Sequence, residues 1–180
     1  MKILLIYSSI EGHTASIVRF LEDELRKLHC IVTVAKATSE VQALATFDAV
    51  MVAAPIHAGQ YANEIVEFVS KHSPELRNLP SLFYSIGLTV TSKDPNALVS
   101  LLDTTASFLK DAGWKPDKVE QIAGALLYTK YGFFKRMLMK SIMKKAGGDT
   151  DTSRDFVYTD WDALRTSVRQ FTGQFEMMEH

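Results

Sequence analysis

Two hydrophobic rhythms alternate along the chain. Ile3-Leu-Leu-Ile6 is an unbroken apolar run, as in a strand buried on both faces. The run breaks at Ser8-Ser-Ile-Glu-Gly-His-Thr14. Apolar positions then recur at three- and four-residue spacing as Ile17, Leu21, Leu25 and Leu28, which predicts an amphipathic helix over residues 15–28. Cys30–Ala35, Asp48–Ala54, Leu79–Gly87 and Val119–Tyr128 predict four more strands. Ala62–Lys71 and Asn96–Ala112 predict the helices between them, the second turning Leu98, Leu101, Leu102 and Leu109 inward. Pro55 is expected to stop the third strand and leave Ile56–Tyr61 as a loop. Phe156–Tyr158 reads as a short strand returning to the sheet. Trp161–Phe175 reads as a last helix, capped by Thr159 or Asp160, and the tail 176–180 is expected to fray.

Strands that alternate with helices imply an α/β fold, a parallel sheet with helices on both faces. The expectation is a three-layer sandwich of five parallel strands in the order 2-1-3-4-5, one domain over residues 1–175. A ligand in such a sheet sits beyond the carboxyl ends of strands 1 and 3. Three loops converge there. The first is Ser9, Ile10, Glu11, Gly12, His13 and Thr14; the second is Pro55, Ile56, His57, Ala58 and Gly59; the third is Ser85, Ile86, Gly87 and Leu88. Strand, polar turn and helix N-terminus form the layout of a phosphate site, where backbone N–H groups and the helix dipole favour an anion. The first loop holds no Lys or Arg, so backbone and hydroxyls must do the work, unlike a P-loop. Tyr7, Ser9, Gly12 and Thr14 resemble the phosphate loop of flavodoxins, with Val18 where flavodoxins often carry Ala. That resemblance makes the order flavodoxin-like and implies flavin mononucleotide (FMN) across the three loops. Glu11 is then expected to point away, since a carboxylate repels a phosphate.

Charge changes the picture in one place. The net charge is −1, which gives no general affinity for nucleic acid. The single cysteine, Cys30, excludes an intramolecular disulfide and reads as a buried thiol. No signal-peptide layout opens the sequence, and no apolar run reaches the ~20 residues of a membrane span. Yet Gln121–Gly148 contains no Asp or Glu and carries Lys130, Lys135, Arg136, Lys140, Lys144 and Lys145. Phe133–Lys145 predicts a helix in a basic insertion at about 129–150, after or within strand 5. Arg136, Lys140 and Lys144 form one stripe, and Phe134, Leu138 and Ile142 a nearly opposite one. Such a helix suits an anionic membrane surface. The alternative is a helix packed on the core through its apolar stripe, with the basic stripe in water.

Pro80–Ser85, Gly113–Asp117, Ile122–Leu126, Met139–Thr152 and Val157–Trp161 together resemble the bacterial HemG-type, quinone-dependent protoporphyrinogen IX dehydrogenases, over about residues 2–172. The resemblance implies an oxidoreductase with a flavodoxin-like fold and bound FMN. It implies protoporphyrinogen IX as substrate, menaquinone or ubiquinone as acceptor, and peripheral attachment to the cytoplasmic side of the inner membrane. Lys130, Lys135 and Arg136 are candidates for pairing with substrate propionates or lipid phosphates. His57 is placed to move protons and Tyr61 to stack on the flavin, but no catalytic residue and no metal site is assigned. A soluble flavodoxin-type electron carrier or a general quinone reductase is the alternative. Carriers of that kind are usually strongly acidic, which this chain is not.

Overall fold

Strict alternation along the first strand feeds two core layers, one on each face of the main sheet. The computed structural model describes residues 1–41 and 43–176, so the tail from 177 lies outside the described residues. The elements are β1 (Lys2–Tyr7), α1 (His13–Lys27), β2 (Ile31–Lys36), β3 (Ala49–His57), β4 (Gln60–Tyr61), α2 (Asn63–Leu76), β5 (Ser81–Gly87), α3 (Pro95–Asp111), β6 (Lys118–Ala123), β7 (Ala125–Leu126), α4 (Phe133–Lys145), β8 (Phe156–Val157) and α5 (Trp161–Glu176). Ile3 and Leu5 face α1 and α5, packing with Ile17, Leu21, Leu164 and Val168. Leu4 and Ile6 face the other way, against Ile65, Val69 and Phe108 of α2 and α3. Successive side chains of a strand point to opposite faces, so one apolar run fills both layers.

The parallel strands run β2-β1-β3-β5-β6, which is the expected 2-1-3-4-5 order. Val18 is buried, so the larger residue is absorbed by the core beneath α1. Asp160 caps α5 by accepting from the backbone N–H groups of Asp162 and Ala163 at 3.1 and 2.9 Å.

Several expectations are corrected. Pro55 does not stop β3, which pairs on through Pro55 opposite Ile86. Ser8 N–H donates to the Ala53 carbonyl, so Ala53 faces β1. Pro55, two residues on, faces the same side, and β1 has ended at Tyr7. The missing N–H therefore breaks no ladder bond. The segment after it is a hairpin rather than an open loop. Ile56 and His57 pair antiparallel with Tyr61 and Gln60, and Ala58 and Gly59 turn at φ 49° and 74°, the two left-handed positions a tight hairpin needs. Leu28 and Leu102 are exposed rather than inward; Thr105 and Phe108 take the buried face of α3. The expected fifth strand breaks after Ala123. Beyond Gly124, β7 leaves the main sheet and pairs antiparallel with β8, so the strand at Phe156 does not return to the main sheet as expected but closes a separate two-stranded ribbon.

The segment between β7 and β8 carries a small core of its own, where Leu126, Leu127, Tyr128 and Tyr131 close on Met143. The helix α4 has the predicted bounds but the opposite orientation to a core helix. Met143 is buried and Arg136, Met139 and Lys140 are partly covered, while Phe134, Leu138 and Ile142 are 88%, 60% and 47% exposed. The alternative of an apolar stripe packed on the core is therefore excluded. The basic stripe also does not face water as a unit, because the Arg136 guanidinium turns inward to the carbonyls of Tyr128 and Tyr131 at 2.9 and 3.0 Å.

Candidate functional site

The first loop is shaped by Gly12. Its φ of 92° is left-handed, which glycine adopts freely and which caps α1 so that His13 becomes the first helical residue. Ser9 Oγ accepts from the backbone N–H of Gly12 at 3.2 Å and of Ala15 at 3.4 Å, tightening the turn. The amides of His13 and Thr14 meet no acceptor among the described residues, so the helix opens with donors available to an anion. At the foot of the loop, buried Ser8 holds a hydroxyl that also lacks a partner.

An open cleft lies between this loop and the carboxyl ends of β3 and β5. Ile10, Glu11, His13 and Thr14 form one wall, Pro55, Ile56 and His57 the second, and Ile86, Gly87 and Leu88 the third. Gly124 and Ala125 complete it from the break between β6 and β7. Those two were missed in the sequence, where a continuous strand hides the break; Gly124 was the available signal. Gly87 is demanded by packing, since a Cβ there would lie 2.5 Å from Ile56 Cγ2.

Five predicted residues sit elsewhere. Ser9 and Gly12 build the loop from behind its wall. Ala58 and Gly59 form the hairpin tip and border a neighbouring depression. Ser85 is fully buried and bonded at 2.7 Å to the Tyr61 hydroxyl. Tyr61 packs on Phe83 and Phe108 inside the core, so it cannot stack on a ligand in the cleft.

The two cleft histidines differ. Thr159 spends its hydroxyl proton on the Ala123 carbonyl at 2.6 Å. Its oxygen therefore accepts from His13, which fixes the neutral ring with the proton on Nε2, 2.7 Å away. Burial, and then the nearby Lys130 ammonium, hold His13 below the usual histidine range. Desolvation at the cleft wall also lowers His57; Glu11 opposes this and Lys135 reinforces it.

Glu11 points away from the cleft floor, toward the insertion. Its carboxylate pairs with the Lys135 ammonium and accepts from the Tyr131 hydroxyl at 3.0 Å. Burial and the neighbouring Glu11 carboxylate push the Tyr131 phenol up, which keeps it a donor. Of the three candidate anion binders in the insertion, Lys135 and Arg136 are thus committed to internal partners. Lys130 reaches the first loop, donating to the Glu11 carbonyl at 3.4 Å.

Comparison with known proteins fits this geometry. Residues 4–153 match the family described as Flavodoxin domain. A protoporphyrinogen IX dehydrogenase [quinone] from Escherichia coli K12 is 36% identical over 94% of this chain and 94% of its own. One of the same name from Leishmania major is 37% identical over 96% of this chain and 75% of its own. Among solved structures, oxidised Flavodoxin 1 and Flavodoxin 2 from Bacillus cereus superpose with TM-scores of 0.58 and 0.57 over 96% and 97% of this chain, at 11% and 14% identity. At that identity the structures speak for the fold, and the two dehydrogenases for the closer kinship. The chain belongs to the Flavodoxin-domain family, within the group of oxidoreductases that carry the name protoporphyrinogen IX dehydrogenase [quinone].

Proposed function

We propose that this chain oxidises protoporphyrinogen IX to protoporphyrin IX with FMN as cofactor and a membrane quinone, menaquinone or ubiquinone, as acceptor. It works peripherally on the cytoplasmic side of the inner membrane. The residues fit the cofactor: open amides at His13 and Thr14 suit a phosphate, and a cleft walled by Pro55, Ile56, Ile86 and Leu88 suits a flat apolar ring. Bound FMN supplies the capacity to take two electrons from an organic donor and release them to a quinone. Removing six hydrogens from the porphyrinogen in three two-electron steps yields porphyrin and reduces three quinones to quinols. The β3 and β5 ends would hold the ring, and His57, exposed on the cleft wall and favouring its neutral form, would be available to move a proton.

The observation that carries the membrane assignment is the inverted helix. The insertion is seated on the cofactor loop through Glu11, yet α4 presents Phe134, Leu138 and Ile142 outward with Lys144 and Lys145 exposed beside them. Apolar side chains ringed by ammonium groups match the headgroup boundary of an anionic bilayer. No described helix is long and apolar enough to cross a membrane, so contact would be in the interface plane. Anaerobic porphyrinogen oxidation, followed by porphyrin fluorescence, is expected to require quinone in anionic vesicles. Phe134→Ser with Leu138→Gln should weaken vesicle flotation roughly a hundredfold and slow turnover with vesicle quinone. Turnover with a water-soluble acceptor should hold. A parent that oxidises no porphyrinogen with either acceptor would refute the activity; a parent that does not float would refute the membrane role alone.

A further inference from the structure

We propose that Lys130, carried by the insertion and not by the loop itself, is the cation that pairs with the cofactor phosphate, and that Glu11 is the latch that holds it there. This rests on the FMN reading above. Residues 8–14 contain no Lys or Arg and one carboxylate, an unfavourable balance for holding a phosphate. The structure resolves that balance from outside the loop. Lys135 pairs with the Glu11 carboxylate and cancels its charge. The Lys130 ammonium lies against the same turn, 3.4 Å from the Glu11 carbonyl and 3.5 Å from where a Cβ on Gly12 would stand. One of its N–H groups goes to that carbonyl; the side chain is exposed and keeps donors for an anion. Neutral His13 adds no charge to the site, so the positive potential beside the open amides of His13 and Thr14 comes from Lys130.

The turn that carries Lys130 is held on every side. Lys130 N–H donates to the Leu127 carbonyl at 3.0 Å. The Asp155 carboxylate accepts from both the N–H and the hydroxyl of Thr129 at 2.9 Å. Arg136 clamps the carbonyls on either side of the Thr129–Lys130 pair. Tyr131 joins turn to latch: its oxygen accepts from Leu127 N–H at 3.3 Å while its proton goes to Glu11. A lysine so placed is preorganised, and less ordering opposes binding. By linkage, a phosphate that binds Lys130 must also tighten the insertion, and a tightened insertion must favour the phosphate.

The test uses the full chain stripped of flavin and titrated with FMN and with riboflavin, which lacks the phosphate, following flavin fluorescence. Lys130→Gln should raise the FMN dissociation constant about tenfold at low ionic strength, the scale of one exposed charge-assisted hydrogen bond. The difference should shrink with salt. Riboflavin affinity should not move, and Lys130→Arg should recover most of the loss. In the parent, FMN but not riboflavin should slow amide exchange across 128–131, a readout that needs no variant. Glu11→Gln should speed exchange across 128–145 in the flavin-free chain. Unchanged FMN affinity in Lys130→Gln, or equal losses for both flavins, overturns the phosphate role. Loss of porphyrin carboxylate binding instead of FMN binding assigns the ammonium to the substrate and overturns it equally. Unchanged exchange in Glu11→Gln removes the latch. A parent that binds neither flavin refutes the FMN reading itself.

Discussion

Helices α1 and α4 are tied together by Glu11, which lies in the loop before α1 and pairs with Lys135 of α4, and they follow opposite rules. On α1, Ile17, Leu21 and Leu25 are fully buried and the charged residues Arg19, Arg26 and Lys27 lie outside. On α4, Phe134 and Leu138 lie outside, while Arg136 and Met139 turn toward the protein. Both helices have apolar residues at helical spacing, so periodicity specifies the helix in each case. What differs is the surface each one meets. Beneath α1 is an apolar sheet face that rewards burial. Beneath α4 is the Tyr128–Tyr131 turn, whose carbonyls need donors. An arginine satisfies them and a leucine does not. The stripe left over faces outward, where only a partner can cover it.

The sharpest break in this comparison is the response to truncation. Leu21→Ala, in the α1 layer, is expected to lose about 2–5 kcal/mol of stability, the usual range for a buried leucine that leaves a cavity. Phe134→Ala removes a larger side chain from a site that is 88% exposed, and its stability change should stay within about 0.5 kcal/mol. Urea denaturation of the two variants checks both values. A Phe134→Ala cost comparable to that of Leu21→Ala would mean that α4 folds down onto the domain in solution.

A smaller effect separates the two kinds of basic residue on α4. Arg136→Gln removes a charged donor from two carbonyls and is expected to cost about 1–2 kcal/mol, reduced for partial exposure. Lys145→Gln touches no described partner and should leave stability unchanged while weakening vesicle flotation. Thermal melts and flotation run side by side should move in opposite patterns for the two variants. If Arg136→Gln weakened flotation and left the melt untouched, the guanidinium would belong to the outer surface after all.

The same contrast decides what was legible in the sequence. The sheet order, the two-sided burial of Ile3–Ile6 and all three cleft loops follow from local runs and their alternation. Pro55 misled because the rule against proline in a strand depends on which side its nitrogen faces, and that is set by where β1 stops. Tyr61 misled because its hydroxyl finds Ser85 and Thr105, partners far along the chain. Lys130 and Glu11 stand far apart in the sequence, and neither residue's neighbours announce the other. The absence of Lys and Arg from the first loop was visible; the ammonium that reaches it from the insertion was visible only in three dimensions.

The smallest expected effect lies where the two regions meet, at His13. Its ring belongs to α1, but its Nε2 proton goes to Thr159, which follows β8, and its low proton affinity owes part of its size to Lys130 of the insertion. In the folded protein its pKa lies below the ordinary value of 6.5. In the unfolded chain the ring titrates near that ordinary value. As the pH falls below about 6.5, the unfolded state therefore takes up a proton first. Its contribution to stability is present above that pH and is lost as the pH falls toward the folded pKa, below which it levels off. His57 is lowered in the same direction and adds to the same slope. Urea midpoints of the flavin-free parent should drop between pH 7.5 and 5, and His13→Asn, which titrates nothing, should drop less. Lys130→Gln should also flatten the slope slightly, because it removes the second cause of the shift. If the slope is identical in the parent and in His13→Asn, the seam does not sense protons through this ring. If it flattens in His13→Asn and not in Lys130→Gln, burial alone sets the shift, and the insertion leaves the α1 terminus electrostatically untouched.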